Sequence, residues 1–387
     1  MKIYFYFLLM FHTNQVLAEN SPASDPLYDE FEGVELAQAL LRDGKVEATK
    51  AALQRVSPSE SATKAAQIGK IKGEIALLEG APARASTQFN DALRAPGADL
   101  VRAELELGLA RAYHRLDKTT DCAAAATRAG TLATRNESDL LMKAACERGS
   151  GNNVAAWRTL GEGRILGRGF GPLLEHVRLM LSMKLTAEAQ ALVLNHLAQK
   201  LTTPSEALAL AEALQESGAR ESALLALETA RLRFPTDQDI LLAIAPQYFA
   251  KGWKRATAEA FTLAAVRAPE YAEHAAETLR QAGSRQRSRY WNMYIPGEKE
   301  RGRQKLALAV ENSRWDLVAS MDSLVKRTAL DNDDEVSYAL AFSLLRSGDR
   351  ERARSYLEKV RSPGLLAKVS ALFKSLEECT KLSWRCL

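Results

Sequence analysis

The chain has 387 residues, of which 47% are hydrophobic and only 7% aromatic, and its 26% charged residues nearly cancel to a formal charge of +4. This balance excludes a disordered polyelectrolyte and argues against a dedicated nucleic-acid binder. The apolar content is mainly alanine and leucine, a bias toward closely packed helices.

Residues 1–18 read as a secretory leader. Lys2 supplies a positive n-region, residues 3–11 a short apolar core, and Val16 and Ala18 the small side chains that a signal peptidase inspects. The apolar run is about half of the ~20 residues that span a bilayer, which favours cleavage over a permanent anchor. The expected product is periplasmic, exported across the inner membrane and at most peripheral to the outer one. Residues 19–29 are polar, carry Pro22 and Pro26, and form a linker.

From Glu30 the chain reads as successive helix hairpins. The first runs through Leu40, Leu41, Gly44, Ala48, Ala52 and Leu53 to Pro58; the second carries Gly73, Gly80, Ala85, Phe89 and Ala92, with Pro82 at the start of its second helix. A third has Leu107, Gly108 and Tyr113 followed by the run 122–126, and a fourth passes Ala144, a turn at 149–151 and Trp157. The glycines Gly161, Gly163, Gly167, Gly169 and Gly171 then read as a long flexible turn. They are not a phosphate loop, because helices flank them and the spacing is wrong. A fifth hairpin pairs 173–181 with 189–197.

Residues 204–269 hold two copies in register. Ala211, Leu214, Gly218, Ala223, Leu227, Ala230 and Pro235 recur as Ala245, Tyr248, Gly252, Thr257, Phe261, Ala264 and Pro269, displaced by 34 residues at every position. Small residues on both helices allow close approach and the glycine supplies a permissive bend. The next unit turns at Gly283 but departs from the pattern, with Ser288 and Asn292 at the repeated positions and Pro296 cutting its second helix short. A hairpin over 303–328 and another through Leu340, Ala341, Leu344, Gly348, Ala353 and Leu357 follow. Turn centres fall near 44, 80, 118, 151, 184, 218, 252, 283, 314 and 348, so about ten hairpins fill residues 30–363 and leave no room for a separate catalytic domain. Residues 364–387, with Leu366, Val369, Phe373 and Leu376, read as a capping helix and tail.

The positions of the small residues, the glycine bend, the large apolar residue and the proline resemble the tetratricopeptide repeat, with Thr257 standing where that family prefers alanine. The resemblance implies an all-α fold, a right-handed superhelical solenoid with a non-catalytic, partner-binding role. Its groove would be lined by the first helices, through Leu208, Glu212, Gln215 and Glu216, then Asp239, Leu242 and Phe249, then Tyr338, Phe342 and Arg346. Signal-bearing repeat proteins of this appearance serve polysaccharide export, pilus or secretin assembly and TonB-type energy transduction, so a protein or peptide of the bacterial envelope is the implied partner.

Candidate chemistry is sparse. No cofactor is implied. Glu175 and His176 are adjacent on one helix and point in different directions, and no nucleophile–base spacing is present, so no enzyme is expected. Cys122, Cys146, Cys379 and Cys386 contain no Cys-x-x-Cys pair, and the five histidines are scattered, so no metal site is expected. In an oxidising compartment the repeat places Cys122 beside Cys146, and Cys379 with Cys386 would close a small C-terminal loop; buried free thiols are the alternative. Arg285, Arg287, Arg289, Tyr290 and Trp291 form a basic aromatic segment where the repeat is broken. That segment reads either as a surface for a protein, anionic polysaccharide or cell-wall fragment, or as a solvated helix face whose aromatics pack inward.

Overall fold

The structure, a computed structural model, describes residues 33–199 and 202–381. The leader, the linker and the expected Cys379–Cys386 pairing lie outside the described residues. The chain folds as an all-α solenoid, and no strand occurs among the described residues. It divides into two compact units, residues 1–176 and 177–387.

The first unit contains the hairpins α1 (Gly33–Arg42) with α2 (Val46–Gln54), α4 (Ala65–Leu78) with α5 (Pro82–Arg94), α6 (Ala98–Arg115) with α7 (Thr119–Arg128), and α8 (Glu137–Gly149) with α9 (Asn153–Ile165). Between the first two lies α3 (Pro58–Thr63), a short helix where the sequence suggested only a hairpin's end. Ser57 starts it by accepting a hydrogen bond from the Glu60 amide, with Pro58 at the position that needs no donor.

The helix α10 (Gly171–Ser182) crosses the boundary between the units. The second unit continues with α11 (Thr186–Leu197), α12 (Pro204–Glu216) with α13 (Arg220–Arg233), α14 (Gln238–Ala250) with α15 (Lys254–Arg267), and α16 (Ala272–Gln281) with α17 (Arg285–Asn292). Next come α18 (Glu298–Glu311), whose partner arm is split into α19 (Trp315–Ser320) and α20 (Asp322–Arg327), then α21 (Asp334–Arg346) with α22 (Arg350–Leu357), and finally α23 (Pro363–Lys381). Within each unit the substantial contacts among the described residues join helices that are near neighbours in sequence, as a solenoid requires.

Each hairpin turns on one left-handed residue: Gly44, Gly80, Asp117, Gly151, Lys184, Gly218, Gly252, Gly283, Ser313 and Gly348. The amide that follows each of them donates to a carbonyl five residues back, as in Lys45 to Leu40, Ala81 to Ala76, Leu185 to Met180 and Asp349 to Leu344, at 2.8–3.0 Å. This is the Schellman arrangement, which satisfies helix-end carbonyls and reverses the chain in three residues. Seven of the ten bends use glycine, the residue that reaches positive φ without a Cβ penalty.

Tight approach explains the small residues. Phe89 is fully buried between two first helices, and a Cβ added to either Gly73 or Gly108 would fall about 2.5–2.6 Å from its ring. Ala223, Ala230, Ala245 and Ala264 are likewise buried at helix crossings. Thr257 fits the alanine position because its hydroxyl donates to the Trp253 carbonyl one turn back and so enters the core satisfied.

Cys122 on α7 and Cys146 on α8 form a disulfide, tying one hairpin to the next as the repeat register requires. The glycine run is not a long turn. Gly161 and Gly163 belong to α9, where Gly163 admits Leu140 and Pro172, and only residues 166–170 separate α9 from α10. In α23 the buried stripe is Val369 and Leu376, flanked by Leu365, Leu372 and Phe373, whereas Leu366 is exposed.

Candidate functional site

In the second unit the first helices α16, α18 and α21, together with α23, line an open groove of about 750 Å³. Its floor is apolar. Leu306, Ala307 and Val310 of α18 lie opposite Val336, Ala339 and the ring of Tyr338 on α21. At one side the Trp315 and Phe342 rings meet edge to face, centroids 4.7 Å apart, and Arg346 stacks over the Phe342 ring at 5.9 Å.

The groove's polar side is built on Glu277. Its carboxylate accepts hydrogen bonds from Arg280 at 2.5 and 2.9 Å, from Gln281 at 2.7 Å and from Gln304 of α18 at 2.7 Å, while Arg280 also reaches Glu311. Burial alone would raise its pKa, but the Arg280, Gln304 and Gln281 hydrogen bonds overcome this and hold it down to about 2. Glu277 is therefore a fixed negative charge that orients α16 against α18.

The charges lining the groove are unequal. Glu273, Glu277, Glu311, Asp333 and Glu335 face Arg280, Arg303 and Lys368, five carboxylates against three cations. Arg280 is spent on Glu277 and Glu311, and Arg303 stands 3.8 Å from Asp333. Glu273 and Glu335 have no ion-pair partner among the described residues. An aromatic and aliphatic floor with surplus carboxylates suits a ligand that presents apolar and cationic groups together.

Of the residues expected to bind a partner, Tyr338 and Phe342 line this groove, and Arg346 touches it through Phe342. Leu208, Glu212, Gln215 and Glu216 lie on α12, and Asp239, Leu242 and Phe249 on α14, away from its lining. There Leu208 and Leu242 are half-buried, Phe249 is exposed, and Gln215 accepts a hydrogen bond from Gln247 at 2.8 Å.

The basic aromatic segment does not form one surface. Trp291 is only 9% exposed and packs with Ala275, Leu279 and Ile295 in the core around α16, which corrects its expected place at a partner surface. Arg287 is bound to Glu259 through both terminal nitrogens, Arg285 is exposed, and Tyr290 and Tyr294 share a hydroxyl–hydroxyl hydrogen bond of 3.1 Å. Arg289 alone points elsewhere, into a second pocket bounded by α17, α18, α19 and α20.

The residues missed in the sequence were Glu273, Glu277, Arg280, Arg303, Gln304, Glu311 and Trp315. A signal for three of them exists: Tyr338 and Phe342 stand ten and six residues before the left-handed Gly348, Glu273 and Glu277 stand at the same distances before Gly283, and Arg303 stands ten before Ser313.

His176 in the first unit is 3% exposed, edge-on to Trp157 at 4.5 Å, with neither ring nitrogen hydrogen-bonded. Burial, with a contribution from Arg164, lowers its pKa to about 4, which makes it a neutral core residue. No helix among the described residues is long and apolar enough to cross a membrane.

No family model matches the chain, and no curated protein matches it. Solved structures that align with it include the human IFIT1 dimer with PPP-AAAA, at 18% identity and a TM-score of 0.29, covering 84% of this chain and 80% of that one. The APC/C hetero-tetramer Cut9–Hcn1 aligns at 13% identity and 0.32, covering 90% and 77%, and Naa15/Naa10 bound to HypK-THB at 13% and 0.40, covering 84% and 57%. At this distance the TPR-like assignment rests on the chain's own hairpins and bends.

Proposed function

We propose that the chain is a non-catalytic scaffold of the bacterial envelope that holds a protein or peptide partner in the groove between α16, α18, α21 and α23. The observation that carries this reading is the lining itself: Tyr338, Phe342 and Trp315 offer ring surface beside Glu273 and Glu335, two carboxylates with no internal cation. Aromatic surface supplies affinity on desolvation, and the carboxylates select a segment that carries lysine or arginine among apolar residues. The periplasmic location is supported by the Cys122–Cys146 disulfide, a bond that persists in oxidising compartments, and by the leader-like residues 1–18. A place in polysaccharide export, in pilus or secretin assembly or in TonB-type transduction follows only from the family resemblance.

The test uses randomised peptides of about ten residues, displayed against the purified chain. Enrichment of basic residues interspersed with apolar ones, lost in a Tyr338→Ala/Phe342→Ala variant that keeps its helical circular dichroism, is the expected result. Enrichment of acidic peptides, or binding indifferent to both substitutions, would remove the groove from the reading. Photo-crosslinkers placed at Tyr338 and, as a control, at Glu221 would then identify the partner in intact envelopes.

A further inference from the structure

The helix α18 has two working faces. While Arg303, Gln304, Ala307 and Glu311 line the groove, Arg301, Gly302, Lys305 and Leu308 on its opposite side line the pocket of about 560 Å³ that Arg289 enters. We propose that this second pocket binds an organic phosphate, a mono- or diphosphate ester whose anionic end meets Arg289, Arg301 and Lys305 and whose body lies on an apolar floor.

Charge pairing leads to that ligand class. Arg314 is engaged by Asp316 at 3.0 Å, and Glu298, the carboxylate in the lining, is bound to Arg327 of α20. Each of these charges is therefore already compensated. Arg289, Arg301 and Lys305 form no ion pair within 4.0 Å among the described residues; Arg301 makes a 3.3 Å bond to the Ile295 carbonyl and otherwise only a longer-range attraction to Glu298, which Arg327 already holds. The surplus of three positive charges in one cleft matches a phosphomonoester, which carries about −1.5 to −2 at neutral pH, or a diphosphate. Unpaired guanidinium groups are the donors that bind phosphate oxygens bidentately, and a lysine adds a point charge.

Two further features distinguish the pocket from a solvated basic face. Asn292 lines it while only 8% exposed, and its Oδ1 has no hydrogen-bond partner, so a buried acceptor is available there for a hydroxyl or N–H of the ligand's organic body, not for a phosphate oxygen. The tetratricopeptide pattern places a large apolar residue at this position, as Phe89 and Leu227 do in other hairpins. Met293, Leu317 and Leu324 complete the lining and give an organic body a surface that an inorganic ion would leave uncovered.

Isothermal titration of the full chain with inorganic pyrophosphate, glucose 6-phosphate and tricarballylate, and flotation with vesicles containing phosphatidic acid, would test the proposal. Saturable, salt-sensitive binding of at least one phosphate probe is expected, weakened at least about tenfold by Arg289→Ala/Lys305→Ala. Removing the same charge elsewhere, in Arg158→Ala/Arg220→Ala, should change it by less than about twofold. Glucose 6-phosphate without vesicles would indicate a soluble ester; vesicles alone would indicate a lipid headgroup. Absence of saturable binding to every phosphate probe, tighter binding of tricarballylate, or equal weakening by both double variants would overturn the assignment. Peptide capture in the groove, measured on the same Arg289→Ala/Lys305→Ala protein, should persist, so failure here leaves the scaffold reading standing.

Discussion

The two units use the same bend and spend the positions before it differently. Ten and six residues ahead of their bends, the first unit carries Lys70 and Glu74, then Leu107 and Arg111; the second carries Arg303 and Ala307, then Tyr338 and Phe342. In the first unit Lys70 reaches Glu104 on the next first helix, and Arg111 clasps Asp139 on the one after through two bonds of 2.7 and 2.8 Å. Neighbouring first helices are thus stitched together by charge, and the disulfide and the buried Phe89 fix the layer beneath. In the second unit the charged stitching thins after Arg280–Glu311: Arg303 of α18 stands 3.8 Å from Asp333 at the start of α21, and the rest of that step is made by rings and aliphatic side chains that leave a groove. The repeat backbone therefore sets where a surface lies, while a few side chains decide whether it is closed on itself or open to a partner.

The most severe way to break this comparison is to remove the ring that closes the first unit. Phe89→Ala should cost about 3–5 kcal/mol, read from the urea midpoint, because Gly73 and Gly108 have no side chains to move into the space. A loss under about 1 kcal/mol would mean that the unit is not held by that contact.

Acid should also act on the first unit, through His176. The folded pKa is about 4 against an ordinary value of 6.5, so between those limits the unfolded chain binds a proton that the folded one refuses. Stability should be intact above pH 6.5 and fall as pH drops toward 4, by on the order of 3 kcal/mol. His176→Phe keeps a ring against Trp157 and should flatten this part of the curve. An unchanged slope in that variant would assign the acid sensitivity to other groups.

In the second unit the same packing logic predicts a smaller effect at Ala223, which is fully buried at a helix crossing. Ala223→Leu should cost about 1–3 kcal/mol by overfilling it. Glu221→Leu, at a position exposed to solvent, should change stability by only a few tenths, the usual range for a surface site. Equal thermal shifts would show that the faces of α13 are wrongly assigned.

Much of the fold could be read from residue spacing because it depends on steric exceptions that few residues satisfy. Gly80, Gly218, Gly252, Gly283 and Gly348 announce their bends, and Ala223, Ala264 and Cys122 their crossings. The groove was harder to read because, beside the regular hairpin that supplies Tyr338 and Phe342, its lining comes from α16 and α18, in the hairpins that depart from the repeat. Glu277 and Gln304 look like solvated helix residues until the hydrogen bond between α16 and α18 is seen. Trp291 shows the converse difficulty: an aromatic among arginines reads equally as a surface anchor or as a ring packed inward, and only its burial around α16 decides for the second.

The three bends without glycine were found by periodicity alone, and they yield the finest distinction. Asp117, Lys184 and Ser313 hold φ values of 54°, 65° and 53°, a region in which an ordinary side chain crowds its own carbonyl at a cost of roughly 1–2 kcal/mol. Glycine would relieve that cost and return roughly 0.5–1 kcal/mol of it as lost unfolded-state entropy. Lys184 is exposed and begins the second unit's first complete turn, so Lys184→Gly should stabilise by about 0.5–1 kcal/mol, whereas Gly218→Ala at φ 85° should destabilise by about 1 kcal/mol. Opposite signs at these two positions, measured by thermal unfolding, would establish that they are the same bend; a loss of stability in both would show that Lys184 turns the chain by other means.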